Sequence, residues 1–162
     1  MIFTTKAEYG VRLLVELGRA RAEGGPDAPV SLKAIAERES LPLAYLERIV
    51  ALLRKAGFVD STRGAHGGYR LARDPATLTM DEVILALEGV VAPMECFVDD
   101  RGDGRVLCSH SSDGGHGCAT KLLWTRVHGG VMQALSRTTL AELVAFSARE
   151  NGPVAISTPQ PV

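Results

Sequence analysis

No run of the 162-residue sequence approaches ~18 consecutive apolar residues, which excludes a membrane-spanning helix. The first ten residues, MIFTTKAEYG, lack the basic and apolar stretches that begin a secretory signal, so a cytoplasmic location is expected. Cysteine is sparse as well. Three cysteines in a reducing compartment do not make a disulfide framework and point to metal or redox chemistry; the plain alternative for any one of them is a small buried apolar residue. Also missing are a Cys-x-x-Cys pair, a glycine-rich nucleotide loop after a strand and a Ser/His/Asp arrangement, so nothing marks an enzyme. There is no internal repeat and no low-complexity tract. Aromatic residues make up only 5%, but the 46% hydrophobic and 23% charged fractions are ordinary and rule out wholesale disorder. The length suits one domain, or a small domain with an appendage, burying roughly two-thirds of the unfolded surface.

What is present is unevenly charged. The net charge is −1, yet residues 30–73 hold eight bases (Lys33, Arg38, Arg48, Arg54, Lys55, Arg63, Arg70 and Arg73) against four acids. Residues 74–118 hold nine acids against two bases. A basic half beside an acidic half suggests an anionic partner for the first.

The hydrophobic periodicity predicts a mainly α chain with one small β-hairpin. Thr4 or Thr5 can cap a helix to about Ala22, with Val11, Leu14, Val15 and Leu17 inward. Ser31 can cap a short second helix to about Glu39 that turns Leu32, Ile35 and Ala36 to the core. Pro42 suits the first position of a third helix, which ends at Gly57 in a left-handed C′ position. Phe58–Asp60 and Tyr69–Ala72, either side of a glycine-rich connection, predict a hairpin with a long tip. Thr79-Met80-Asp81-Glu82 spells a capping box for a fourth helix to about Glu88. Residues 89–117 form a long loop, followed by a long helix from Cys118 to about Leu135 and a last helix opened by the box Thr139–Glu142. The tail, 149–162, is expected to be disordered.

Helix, short helix, turn, helix and hairpin, in that order, make a winged helix-turn-helix. The third helix fits the width of a DNA major groove, with the second steadying it. The wing tip places Arg63 beside glycine, where it can follow the backbone or enter a narrow minor groove.

The stretch LPLAYLERIVALLRKAGFVDSTRGAHGGYRLAR resembles the DNA-binding signature of the Rrf-type bacterial transcription regulators, in particular their IscR- and NsrR-like, cluster-sensing members. The likeness covers about residues 1–148. It implies a winged helix-turn-helix DNA-binding domain over 1–75, and a cluster-binding loop with dimerisation helices over 76–148. It implies a homodimer paired through the Cys118–Leu135 helix, and hence a palindromic operator in double-stranded DNA. Tyr45, Glu47 and Arg48 occupy recognition-helix positions that approach the groove in such regulators, and Arg63 matches their wing arginine. Glu47 can accept from cytosine N4 or simply bridge to Arg48 or Arg54; Arg54 and Lys55 suit phosphate or solvent. Cys96, Cys108 and Cys118, spaced x11 and x9, resemble the three thiolate ligands of an iron–sulfur cluster, [2Fe-2S] or [4Fe-4S]. Glu8 matches a carboxylate that supplies a fourth ligand from the other protomer, the alternatives being His116, His110, or a plain role for Glu8 at the helix dipole. The resemblance thus implies a DNA-binding regulator, a repressor, whose cluster senses redox state, nitric oxide or iron supply. A regulator of the same fold that senses through thiols or a protein partner is the alternative.

Overall fold

The structure, a computed structural model, describes residues 3–64, 67–89, 91 and 119–149. Cys96, Cys108, Cys118, His110 and His116 lie outside the described residues, as do most of the expected long loop and the tail after Arg149. Six helices and one hairpin are described: α1 (Thr5–Gly24), α2 (Leu32–Glu39), α3 (Leu43–Lys55), β1 (Val59–Thr62), β2 (Gly68–Leu71), α4 (Met80–Glu88), α5 (Ala119–Arg137) and α6 (Leu140–Ser147). The expected mainly α chain with a small β-hairpin wing is what folds. No described helix is long and apolar enough to cross a membrane.

Local chemistry sets most of the boundaries. Thr4 accepts from the Lys6 amide and Ser31 from the Ala34 amide, so both helices begin on a side-chain cap. Thr139 and Glu142 form a reciprocal capping box at α6. The box expected at α4 does not form. The Thr79 hydroxyl donates to Asp81 at 2.5 Å, while Glu82 pairs with Arg73 at 3.2 Å, so neither side chain is left for the cap. Pro42 is the N-cap of α3 rather than its first helical residue. Between α2 and α3 the chain turns through Ser40, whose φ of 54° is left-handed, and the Leu41 amide returns to the Ala36 carbonyl.

α1 is the axis of the core. It packs against α2, α3, α4, β2 and α6, so its buried stripe is broader than the periodicity suggested. Leu13, Leu14 and Leu17 are buried, and Val11 and Val15 only half-buried. Two glycines let its neighbours approach. A Cβ on Gly10 would overlap the Leu87 side chain, and one on Gly18 would overlap that of Val144. One aliphatic cluster joins Ile35, Leu46, Ile49 and Leu53 of the helix-turn-helix to Val59 and Leu71 of the wing and to Val83 and Leu140 beyond residue 75.

The wing is tied to this core. Val59 pairs with Leu71, Asp60 with Arg70, Ser61 with Tyr69 and Thr62 with Gly68 in an antiparallel register. Val30, just before α2, adds a bridge to Tyr69 through two backbone hydrogen bonds of 2.8 Å.

α5 is different. None of its residues is buried, and Leu122 and Leu123 are 57% and 55% exposed. Its C-terminal half leans on α4 through Met132 and Leu135.

Candidate nucleic-acid interface

Leu46, Ile49, Val50 and Leu53 face α3 into the core, which turns Glu47, Arg48, Arg54 and Lys55 outward. The wing places Arg63, also exposed, on the strand-to-tip turn. The eight bases of residues 30–73 divide by ion pairing. Lys33 pairs with Glu37, Arg38 with Glu16, Arg70 with Asp27 and Asp60, and Arg73 with Glu82. The other four, Arg48, Arg54, Lys55 and Arg63, have no ion pair among the described residues. Among those residues Glu47 has none either, so it bridges to neither Arg48 nor Arg54. The unneutralised cations sit on the helix that fits a major groove and on the wing beside it, where a polyanion would meet them.

Tyr45 behaves otherwise. Its ring is half-buried and meets Tyr9 of α1 edge-on, centroids 5.8 Å apart at 84°. It therefore joins the recognition helix to α1, whatever its hydroxyl does.

Glu8 lies in the first turn of α1, with its side chain 63% exposed and 3.7 Å from Arg12 Nη1. Arg12 is a hub that reading the sequence for ligands did not find, although the Glu8–Arg12 spacing of one helical turn is a visible signal. Its Nε donates to Glu39 Oε2 at 2.7 Å, and its Nη2 to the Glu39 carbonyl, also at 2.7 Å. Its guanidinium stands 5.9 Å from the Tyr9 ring centroid. The carboxylate of Glu8 is thus two steps from the C-terminus of α2, through Arg12 and Glu39. A parallel route runs from Arg12 through Tyr9 and Tyr45 to α3.

The same turn of α1 is anchored to the start of the cysteine-bearing segment. Glu88, the last residue of α4, accepts from the Thr4 hydroxyl at 2.5 Å and from the Ala7 amide at 3.2 Å. Lys6 adds an ion pair to it at 3.9 Å. Val91 is buried with Ala7 and Ile84. Among the described residues no group of three His, Cys, Asp or Glu side chains forms a metal site.

Comparison with known proteins agrees with this architecture. Residues 3–146 match the Rrf2 family, described as an iron-dependent transcriptional regulator. The chain is 35% identical to the HTH-type transcriptional regulator CymR of Bacillus subtilis, over 93% of this chain and 94% of that one. It is also 35% identical to the protein rrf2 of Nitratidesulfovibrio vulgaris, over 89% and 87% of the two chains. Among solved structures, CymR, the global cysteine regulator of B. subtilis, superposes with a TM-score of 0.70 over 89% of this chain and 96% of that one. The IscR of T. potens superposes with a TM-score of 0.69 at 34% identity, over 92% of each chain. Such relatives are DNA-binding regulators and not enzymes. With a family match over nearly its whole length and a winged helix to go with it, the chain belongs to the Rrf2 family of winged-helix transcription regulators.

Proposed function

We propose that the protein is a homodimeric repressor that binds a palindromic operator through α3 and the wing, and that an iron–sulfur cluster controls this binding. The observation that carries the DNA half is the segregation of charge: the four bases of the helix-turn-helix and wing that have no ion pair among the described residues lie where a duplex would dock. In this reading Arg48, Arg54 and Arg63 meet phosphates or the minor groove. Glu47 accepts from a cytosine amino group, and the Tyr45 hydroxyl reaches toward the groove from a ring braced on Tyr9. The exposed leucines of α5 supply the pairing surface, since an apolar strip on a long helix is stable in water when a second copy covers it.

The donor set fits a cluster. Cys96, Cys108 and Cys118 offer three thiolates, and Glu8 is an exposed carboxylate with, among the described residues, one long ion pair to give up. Val91 is packed against Ala7, and Glu8 would complete the ligand set from the other protomer of the proposed dimer. The cluster, when bound, supplies a group that oxidation, nitric oxide or iron shortage alters. The rest belongs to the chain. If a cluster engaged Glu8, that carboxylate would leave Arg12 Nη1, whereas Arg12 Nε and Nη2 would stay on Glu39; withdrawing Glu8 would change the charge beside Arg12 and so the brace between α1 and the end of α2. A shift of this kind needs only a few kcal/mol of difference between the two states.

The test is anaerobic purification followed by a visible spectrum and assays of iron and acid-labile sulfide. Comparable iron and sulfide in a coloured protein, lost in Cys96→Ala, Cys108→Ala and Cys118→Ala, is the expected result. Full iron and sulfide in all three variants would overturn the ligand assignment. A protein that stays colourless after anaerobic reconstitution supports the second reading, a regulator that senses through its thiols or a protein partner; on its side is the match to CymR over 94% of that chain, against 79% of an IscR of equal identity.

A further inference from the structure

The first turn of α3 lies at the groove in the docking proposed above, yet its side chains have almost nothing to hydrogen-bond with. Pro42, Leu43 and Ala44 are all exposed, and none has a polar side-chain atom. Leu43 is 38% exposed, whereas Leu46, Ile49, Val50 and Leu53 of the same helix are buried. The cations Arg48, Arg54 and Lys55 on the same helix, unpaired among the described residues, suit this side of the molecule to a polyanion rather than to an apolar protein.

We propose that Leu43, flanked by Ala44, is a specificity-determining residue that reads the 5-methyl group of a thymine in the operator; the inference rests on the DNA-binding reading above. Thymine is the one base that offers an apolar group in the major groove, while the edges of guanine, adenine and cytosine offer donors and acceptors. Against those edges Leu43 would strip water from a polar group and return no hydrogen bond, which is unfavourable. Selection therefore works in both directions, through contact with the methyl and through rejection of its competitors. Glu47 lies four residues further on, about 6 Å along the helix axis and on the same face. Base pairs are stacked about 3.4 Å apart, so the thymine read by Leu43 lies within about two steps of the base read by Glu47.

To test this, the full chain, in its anaerobically isolated and cofactor-free forms, selects an operator from random duplex DNA. Each thymine is then replaced in turn by deoxyuridine, which removes only the methyl group. At one thymine per half-site the replacement is expected to weaken binding about fourfold, the effect of one buried methyl. Leu43→Ala should bind the thymine operator as weakly and no longer distinguish the two bases, while keeping the circular dichroism and melting temperature of the parent. Arg48→Ala should lose affinity overall yet retain the deoxyuridine penalty. A parent protein indifferent to every replacement, or a penalty that persists in Leu43→Ala, would overturn the inference. If operator binding keeps a steep salt dependence in that case, the DNA-binding reading stands; a chain that binds no duplex in either form defeats both.

Discussion

Glu16 shows how one residue can be both visible in a sequence and opaque. It stands in the apolar stripe of α1 and is 1% exposed, with Arg19 Nη1 at 3.1 Å and Arg38 Nη1 at 2.5 Å. Both arginines keep much of their surface in water, so the pair straddles the boundary of the core instead of lying within it. Glu16→Gln keeps the shape and removes the charge, and is expected to lower stability by about 1–3 kcal/mol. Thermal unfolding checks this. An unchanged melting temperature would mean that the bridge adds nothing beyond packing. Glu16→Leu, by contrast, should come out near the parent, because burying an apolar group of similar volume removes the desolvation cost along with the pair. The sequence shows an acid among leucines. It does not show that Arg38, on the next helix, provides the counter-charge, because that meeting is made by tertiary packing. The same holds for Arg12 and Glu39, and for Glu88 at the start of α1. Glu8, Glu47 and Arg63 are legible through the family resemblance, and all three are exposed.

At the scale of elements, caps and glycines carried the reading. Ser31 and Thr139 begin helices where they were expected to, because a cap depends on residues three apart and on little else. Thr79 failed for the complementary reason: Asp81 and Arg73 compete for the side chains that a box needs. The Gly67-Gly68 doublet reads as a turn, but its tighter constraint is steric. A Cβ on Gly68 would lie 2.5 Å from the Val30 carbonyl oxygen, inside the bridge that holds the wing to the chain before α2. Gly68→Ala is expected to push these two segments apart at a cost of about 1–3 kcal/mol. Faster hydrogen exchange at the Val30 and Tyr69 amides would report the loss of their two hydrogen bonds, and unchanged exchange would count against the steric account. Leu43 illustrates the opposite limit. Periodicity identifies the buried positions of α3 but says nothing of what an exposed leucine is for.

At the scale of the whole molecule, α5 is the element on which the proposed homodimer rests. Nineteen residues form it, none of them buried, and its outer leucines face water. Leu122→Glu with Leu123→Glu should leave the winged helix folded while giving a monomer in analytical ultracentrifugation and little operator binding. A double variant that sediments as a dimer would remove α5 from the pairing surface. The Val30–Tyr69 bridge has a consequence at this scale too. Because it sews the wing to the segment that leads into the helix-turn-helix, and both share one core, the described residues of the reading head pack as one unit. A signal arriving at α1 then has little freedom to re-aim the wing against the helix. In the proposed dimer, what it can alter is the distance and angle between two whole heads, as calipers are adjusted without bending their jaws. DNA answers to that setting through the separation of its half-sites, about 34–36 Å for one helical turn.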